Sequence, residues 1–246
     1  MSIALLTDIH SNREALEACL AHAQDHGATR YIFLGDYVNY GADPVWVVDT
    51  MMAHAARGAI VLRGNHDEAT AGGAVQMNED AQACVLWTRA QLRPEQIDFL
   101  RALPLSAEEG NCLFVHANGW NPQGFEYIHG PMQAARNLQA VRARITFCGH
   151  MHDPMLYHMG LTQRVEAFSP VPETAIPLSA ARRWLAIPGS VGQPRDGNPA
   201  ASYASYDEFN SLLTFWRVPY DHDTAAAKVH AAGLPERYAR QLQLGA

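Results

Sequence analysis

Residues 59–67 read Ala59-Ile60-Val61-Leu62-Arg63-Gly64-Asn65-His66-Asp67. The apolar run at 59–62 reads as a short buried strand, and Gly64 marks the turn that ends it. Asn65, His66 and Asp67 follow at once, and burying three such side chains together is costly unless they share a task. Alone, the turn could be a loop that satisfies its own hydrogen bonds. Its weight comes from the rest of the chain, where the same arrangement recurs.

The apolar run at 3–6 ends in Thr7-Asp8-Ile9-His10, and the run at 31–34 ends in Gly35-Asp36. The run at 112–115 ends in His116, and the run at 145–148 ends in Gly149-His150-Met151-His152. Each piece has an ordinary reading. Asp8 could cap a helix, Gly35-Asp36 could be a turn, and His116 could be a satisfied buried histidine. His150 and His152 share one face if the segment is extended, a chelating geometry of moderate specificity. Five strand-like runs that all deliver Asp, Asn or His at their carboxyl ends are a poor coincidence. In open α/β sheets that edge is where ligands bind.

Between these runs, helical spacing predicts helices over 12–24, 44–54, 79–91, 94–102 and 132–141. Ser11 or Asn12 serves as the first N-cap, and Pro94 sits in a first turn. Strands alternating with helices indicate an α/β chain with largely parallel strands in its first half. From Met155 the character changes. Short β-like segments at 155–158, 164–166, 183–187, 202–206 and 211–217 are mostly parted by turn residues, with a hairpin loop at 207–210. This half reads as an antiparallel sheet followed by helices over 224–231 and 235–243. With no linker, repeat or low-complexity tract, residues 1–246 read as one domain.

The 246 residues carry 18 Lys and Arg against 25 Asp and Glu, a net charge of −7. That balance argues against long DNA or RNA as a substrate. An acidic chain that handles phosphates needs local cations, most simply metal ions. No apolar stretch suggests a membrane span, and Asp8 interrupts the apolar N-terminus, which reads as a strand and not a signal peptide. Cys19, Cys84, Cys112 and Cys148 form no paired spacing and read as reduced thiols in a cytoplasmic protein.

Taken together, DxH, GD, GNHD, a lone His and GHxH resemble the motif set of the calcineurin-like metallophosphoesterase superfamily. The stretch Pro188-Gly189-Ser190-Val191-Gly192-Gln193-Pro194-Arg195 is similar to the segment after GHxH in its small bacterial and archaeal members. The resemblance implies an α/β fold, a four-layer α/β/β/α sandwich of two mixed sheets. It implies two metal ions bridged by Asp36, the first also held by Asp8, His10 and His152, the second by Asn65, His116 and His150. Carboxylate, amide and imidazole donors suit Mn, Fe or Zn better than Mg or Ca. Two ions about 3.5–4 Å apart can hold a bridging hydroxide for in-line attack on phosphate.

The resemblance makes His66 the acid that protonates the leaving group; the alternative is a supporting hydrogen-bond donor. Asp67 is expected to brace the loop backbone, and Arg63 to be structural. Gly35–Gly41 resembles the GDYVDRG motif of Ser/Thr protein phosphatases, but Asn39 and Tyr40 stand where those enzymes have Asp and Arg. Asn39 can accept a hydrogen bond without stabilising an imidazolium by charge, and Tyr40 cannot replace a bidentate guanidinium. Asn39 and Arg195 are the substrate-side candidates; Arg195 could instead be a surface residue paired with Asp196. The stretch 117–131, with Trp120, Phe125, Tyr127 and His129, either walls the pocket and stacks on a ring or closes a small local core. His22, His26, His54, His222 and His230 read as solvated helix residues, and His158 as structural.

The implied function is a dinuclear phosphoesterase acting on a small phosphate ester, with less fixed positive charge favouring phosphodiesters. The alternatives are a phosphomonoesterase or protein-phosphatase-like enzyme, or a non-catalytic binding module on the same fold.

Overall fold

A computed structural model describes residues 2–246 as two six-stranded mixed sheets. In the first, β1 (Ser2–Leu6), β2 (Ala28–Phe33) and β3 (Ile60–Val61) run parallel. β11 (Ala201–Asp207) pairs antiparallel with β1, followed by β12 (Leu212–Val218) and β9 (Ala175–Pro177). In the second, β5 (Cys112–Val115), β6 (Ile145–Phe147) and β10 (Arg183–Ile187) run parallel. β4 (Ser106–Glu109) joins one edge, and β7 (Met155–Met159) and β8 (Val165–Phe168) extend the other.

Strand periodicity decides the layers. Along β1, Ile3 and Leu5 point into the core between the sheets, beside Phe114, Phe147, Trp184 and Phe215. Ala4 and Leu6 point the other way, onto α1 (Arg13–Asp25), α2 (Pro44–Ala56) and α5 (Pro94–Ala102). The far face of the second sheet packs Val115, Tyr157 and Leu185 against Ala134 and Leu138 of α6 (Pro131–Ala140). The result is the helix–sheet–sheet–helix sandwich expected above. A fourth cluster joins α4 (Glu79–Gln91) to α7 (His222–Ala231) and α8 (Glu236–Leu244).

Several helices begin where the sequence placed them. The Asn12 side chain caps α1 through the Ala15 amide at 3.1 Å, and Asn78 caps α4 through Ala81 at 2.9 Å. The Asp207 carboxylate accepts from the Phe209 and Asn210 amides and closes the β11–β12 hairpin.

The second half does not form a sheet of its own. Its strands are dealt between both sheets: β10 inserts between β6 and β7, and β11 lies beside β1. An apolar run buried on both faces can pair in either direction, so its partner is set by the fold. Two short edge strands, β4 and β9, also escaped the pattern, because they are largely exposed and weakly apolar. The Asn65–Thr70 segment is a short helix, α3, starting on the GNHD turn itself. Among the described residues no helix is long and apolar enough to cross a membrane.

Candidate metal centre

The carboxyl ends of β1, β2, β3, β5 and β6 meet in one place. Getting the chain around these corners needs left-handed backbone. Asp8, His10, Ser11, Asp36, Asn39, Tyr40, His150 and His152 all have φ between 49° and 71°. Each such residue costs about 1–2 kcal/mol unless its surroundings hold it there. Here backbone hydrogen bonds cross between loops, from Asp8 to Gly35 at 3.0 Å and from Ile9 to Asp36 at 2.8 Å. Gly64 is needed for packing: a Cβ there would collide with the Asp36 carboxylate and amide. Asp67, fully buried, binds the loops together. It accepts from Gly64 and Asp36 amides through one oxygen, at 2.9 and 2.8 Å, and from Tyr37 through the other at 2.9 Å. Burial, with Asp36 alongside, raises its carboxyl to about 7.

All seven residues assigned to metals are buried and converge. Asp8, His10 and His152 form one group, with His152 Nε2 3.3 Å from Asp8 Oδ1 and 3.2 Å from His10 Nε2. Asp36, His116 and His150 form a second, with His116 Nε2 3.3 Å from Asp36 Oδ2 and 3.2 Å from His150 Nδ1. Asn65 Oδ1 joins this group, 3.1 Å from His116 Nε2. Asp36 Oδ2 is also 3.9 Å from His10 Nε2, so Asp36 lies between the groups.

The imidazoles are oriented from behind. His10, His116 and His152 direct Nδ1 at the carbonyls of Val38, Leu34 and Gln193, at 3.1, 3.0 and 2.6 Å. As neutral rings, His10 and His152 then aim Nε2 lone pairs at each other, which a cation between them would satisfy. Asp8 Oδ1 and His150 Nε2 are buried without a hydrogen-bond partner. Buried polar atoms without partners are rare. This donor set fits metal ions. Burial alone would raise both Asp8 and Asp36, yet neighbouring His152 and His116 hold them well below the usual carboxylate range. Burial works against His116 as well, but Asp36 raises its imidazole to about 9.

His66 sits at the rim of this cluster, grouped with His10 and Asp36. Its amide donates to Asp36 Oδ1 at 2.8 Å. The Asn39 amide nitrogen donates to His66 Nδ1 at 3.0 Å and approaches the His66 carbonyl at 3.3 Å, while Thr70 donates to Asn39 Oδ1. That orientation leaves the imidazole proton on Nε2, 2.9 Å from the Tyr40 hydroxyl. Burial pushes the His66 imidazole down to about 4. Asn39 is fully buried behind His66, with its amide nitrogen on the imidazole and its oxygen on Thr70.

Arg195 reaches the cluster. It donates to Gln193 Oε1 at 3.1 Å, its charge bears on Tyr127, Tyr40 and His66, and its Nε is buried without an acceptor. The surface pairing with Asp196 does not form, because Asp196 pairs with Arg217. Arg63 bonds the Arg101 carbonyl and Glu68, a structural role. The aromatic stretch divides between its two readings. Tyr127 stacks on His150 at 3.9 Å, and Phe125 presents an edge to His116 at 6.0 Å. Trp120 packs in the outer core and under Arg136. A pocket of about 340 Å³ opens beside the cluster, lined by Asn65, Val75, Gln76, Phe125, Tyr127 and His150.

Sequence reading missed the support given by Gln193 and by Tyr238, which stacks on Tyr40 at 4.4 Å. A glutamine in a loop and a tyrosine in a polar helix carry no local signal. His22, His54 and His222 are half-buried; His22 bonds the Tyr203 hydroxyl at 2.8 Å where α1 overlies the sheet. His158 is structural, packed on Trp184 beside Arg182.

Comparison with known proteins agrees with this geometry. The family model of the calcineurin-like phosphoesterase superfamily domain matches residues 1–210. An uncharacterized protein of Methanocaldococcus jannaschii is 34% identical over 250 residues, covering 99% of this chain and 98% of its own. The crystal structure of a metallophosphoesterase from Sphaerobacter thermophilus superposes with a TM-score of 0.88 at 34% identity, over 100% of this chain and 99% of that one. A symmetrical bis(5'-nucleosyl)-tetraphosphatase from Bordetella parapertussis is 36% identical over 122 residues, 47% of this chain and 43% of that protein.

Proposed function

This chain belongs to the calcineurin-like phosphoesterase superfamily and is a metal-dependent hydrolase of phosphoric ester bonds, and from that premise we propose that it works through a dinuclear centre on small phosphodiesters. One ion is held by Asp8, His10, Asp36 and His152, the other by Asp36, Asn65, His116 and His150. Mn, Fe or Zn suits these donors. The carrying observation is the pair of buried donor groups on either side of Asp36, with Asp8 Oδ1 buried without a hydrogen-bond partner. Two ions held there would supply Lewis acidity toward phosphate oxygens and make water more acidic.

The chain's own residues do the rest. Arg195 takes a non-bridging phosphate oxygen, for which its buried Nε has no competing acceptor. His66 holds its proton at Nε2 for the oxygen of the departing group. The pocket beside Phe125 and Tyr127 takes the second ester group, and Tyr127 offers it a ring face. One guanidinium, with Tyr40 in place of a second, suits the singly charged diester. Four free, buried cysteines support work in the reducing cytoplasm.

The test is kcat/KM for bis-aryl against aryl phosphate on protein of measured metal content. A diester preference with two ions per chain supports the reading. A monoester preference of about tenfold or more, some 1.4 kcal/mol, overturns the diester assignment. A second reading, hydrolysis of dinucleoside polyphosphates, is favoured by the likeness to the Bordetella tetraphosphatase and belongs in the same screen.

A further inference from the structure

Helix α8 lies beyond the 1–210 segment that matches the family. Its buried face, Tyr238, Ala239 and Leu242, packs against α7 and Cys84 of α4. Half-buried Gln241 does something different: its Oε1 accepts from Gln193 Nε2 at 3.1 Å.

Gln193 is fully buried, and every polar group on it is engaged. Its amide donates to Ser190 Oγ at 2.8 Å, and its carbonyl accepts from His152 Nδ1 at 2.6 Å. Its side-chain oxygen accepts from Arg195 Nη2 at 3.1 Å. A guanidinium only donates, so Oε1 of Gln193 must face Arg195 and Nε2 must face Gln241. Gln241 must then present an acceptor. Arg195 thus sets the polarity of the row, and Gln241 on α8 supplies the acceptor that completes it and holds Gln193 in place. The charge of Arg195 bears on Tyr127, Tyr40 and His66 around the cluster, and its Nε–H is buried without an acceptor. A cation held by Gln193 beside the donor cluster, with one buried donor unused, is aimed at an anion.

We propose that α8 is a substrate-positioning element: Gln241, acting through Gln193, aims Arg195 at the phosphate group and so sets the affinity of the site for phosphate esters. This rests on reading Arg195 as the phosphate contact. Gln241 and Gln193 are positioning residues and touch no reacting atom.

The experiment uses the full-length, metal-loaded protein with Arg195→Ala, Gln241→Ala, Gln241→Glu and the Arg195→Ala/Gln241→Ala double variant. KM and kcat are read with aryl phosphate, affinity for inorganic phosphate by calorimetry, and folding by thermal midpoint. Gln241→Ala should raise KM and weaken phosphate binding about tenfold, with kcat within about twofold, the scale of one hydrogen bond to a charged group. Gln241→Glu keeps the acceptor and should restore both to within about twofold. The double variant should be no worse than Arg195→Ala alone, because both act on one interaction. If Arg195→Ala changes neither KM nor phosphate affinity, the phosphate-contact reading fails and this inference falls with it. If Arg195→Ala weakens both and Gln241→Ala does not, the contact stands and the role of α8 is overturned. Equal losses in Gln241→Ala and Gln241→Glu, or additive losses in the double variant, also overturn it. The double-variant comparison holds even if Gln241→Ala lowers the thermal midpoint.

Discussion

The strand-end loops around Asp8, Asp36 and His150 and the helix pair α7–α8 meet where Tyr40 stacks on Tyr238 but are held by opposite means. In the loops many polar side chains are buried, eight residues sit in left-handed backbone, and hydrogen bonds join residues 142 and 182 positions apart, as from His150 and Ser190 to Asp8. In the helices ordinary packing of Ala225, Ala226, Val229 and Leu242 does the work, and polar links such as Lys228 to Glu14 lie near the surface. The difference teaches where tolerance lies. Strained polar loops persist only because each bond supports the next. The helices can lose one contact without losing the fold.

The largest effect should come from Asp36→Asn, which alters the carboxylate shared by both donor groups. It should lose metal and activity together, by about 10⁴-fold, as several kcal/mol of charge stabilisation disappear. Metal analysis and turnover on one sample check this, and full activity in metal-stripped Asp36→Asn protein would end the dinuclear reading. Next, His66→Ala should keep its metals and slow turnover about 10²–10⁴-fold for alkoxide leaving groups. The loss should shrink for nitrophenolate, which needs no proton; an equal loss across leaving groups of widely different pKa would count against His66 as the proton donor.

Asp67→Ala probes the loops without touching a metal position. Three backbone amides lose their buried carboxyl acceptor, which should cost about 3 kcal/mol and lower Tm by about 6–12 °C. A thermal scan showing no change would mean that the loops are not tied together as described. Tyr127→Ala should reduce kcat/KM for bis-aryl phosphate about fivefold, near 1 kcal/mol, and spare aryl phosphate. Equal losses on both would remove the ring from the second-ester pocket. At the small end, Lys228→Met breaks the pairs with Glu14 and Asp43, which are partly exposed. It should shift stability by less than about 1 kcal/mol. A larger shift, seen in a denaturant titration, would make the helix side as tightly coupled as the loops.

Much of the site was legible because its chemistry is local. Asp8, His10, Asp36, Asn65, His116, His150 and His152 each follow an apolar run, and parallel strands bring such ends together. Asp67 was legible as a loop brace because it follows the Gly64 turn. Arg195 was ambiguous in sequence, since Asp196 lies next to it; only the fold gives Asp196 to Arg217 and leaves Arg195 to Gln193. Asn39 was read as facing substrate, and only the packing of Thr70 behind it turns its amide onto His66.

The amino-acid sequence by itself determined the strand ends and the polar residues that follow them, because side-chain periodicity and turn chemistry act over a few residues; the layer order and the ligand set were implied by the family resemblance. Tertiary structure alone decided which strands pair, since buried apolar runs such as β10 accept parallel and antiparallel neighbours alike. It also decided which side chains share a hydrogen bond across the cleft. The link from Gln241 to Gln193 spans 48 positions and exists only once α8 has docked. No local pattern encodes a partner that distant; burial and the requirement that each buried donor find an acceptor select it.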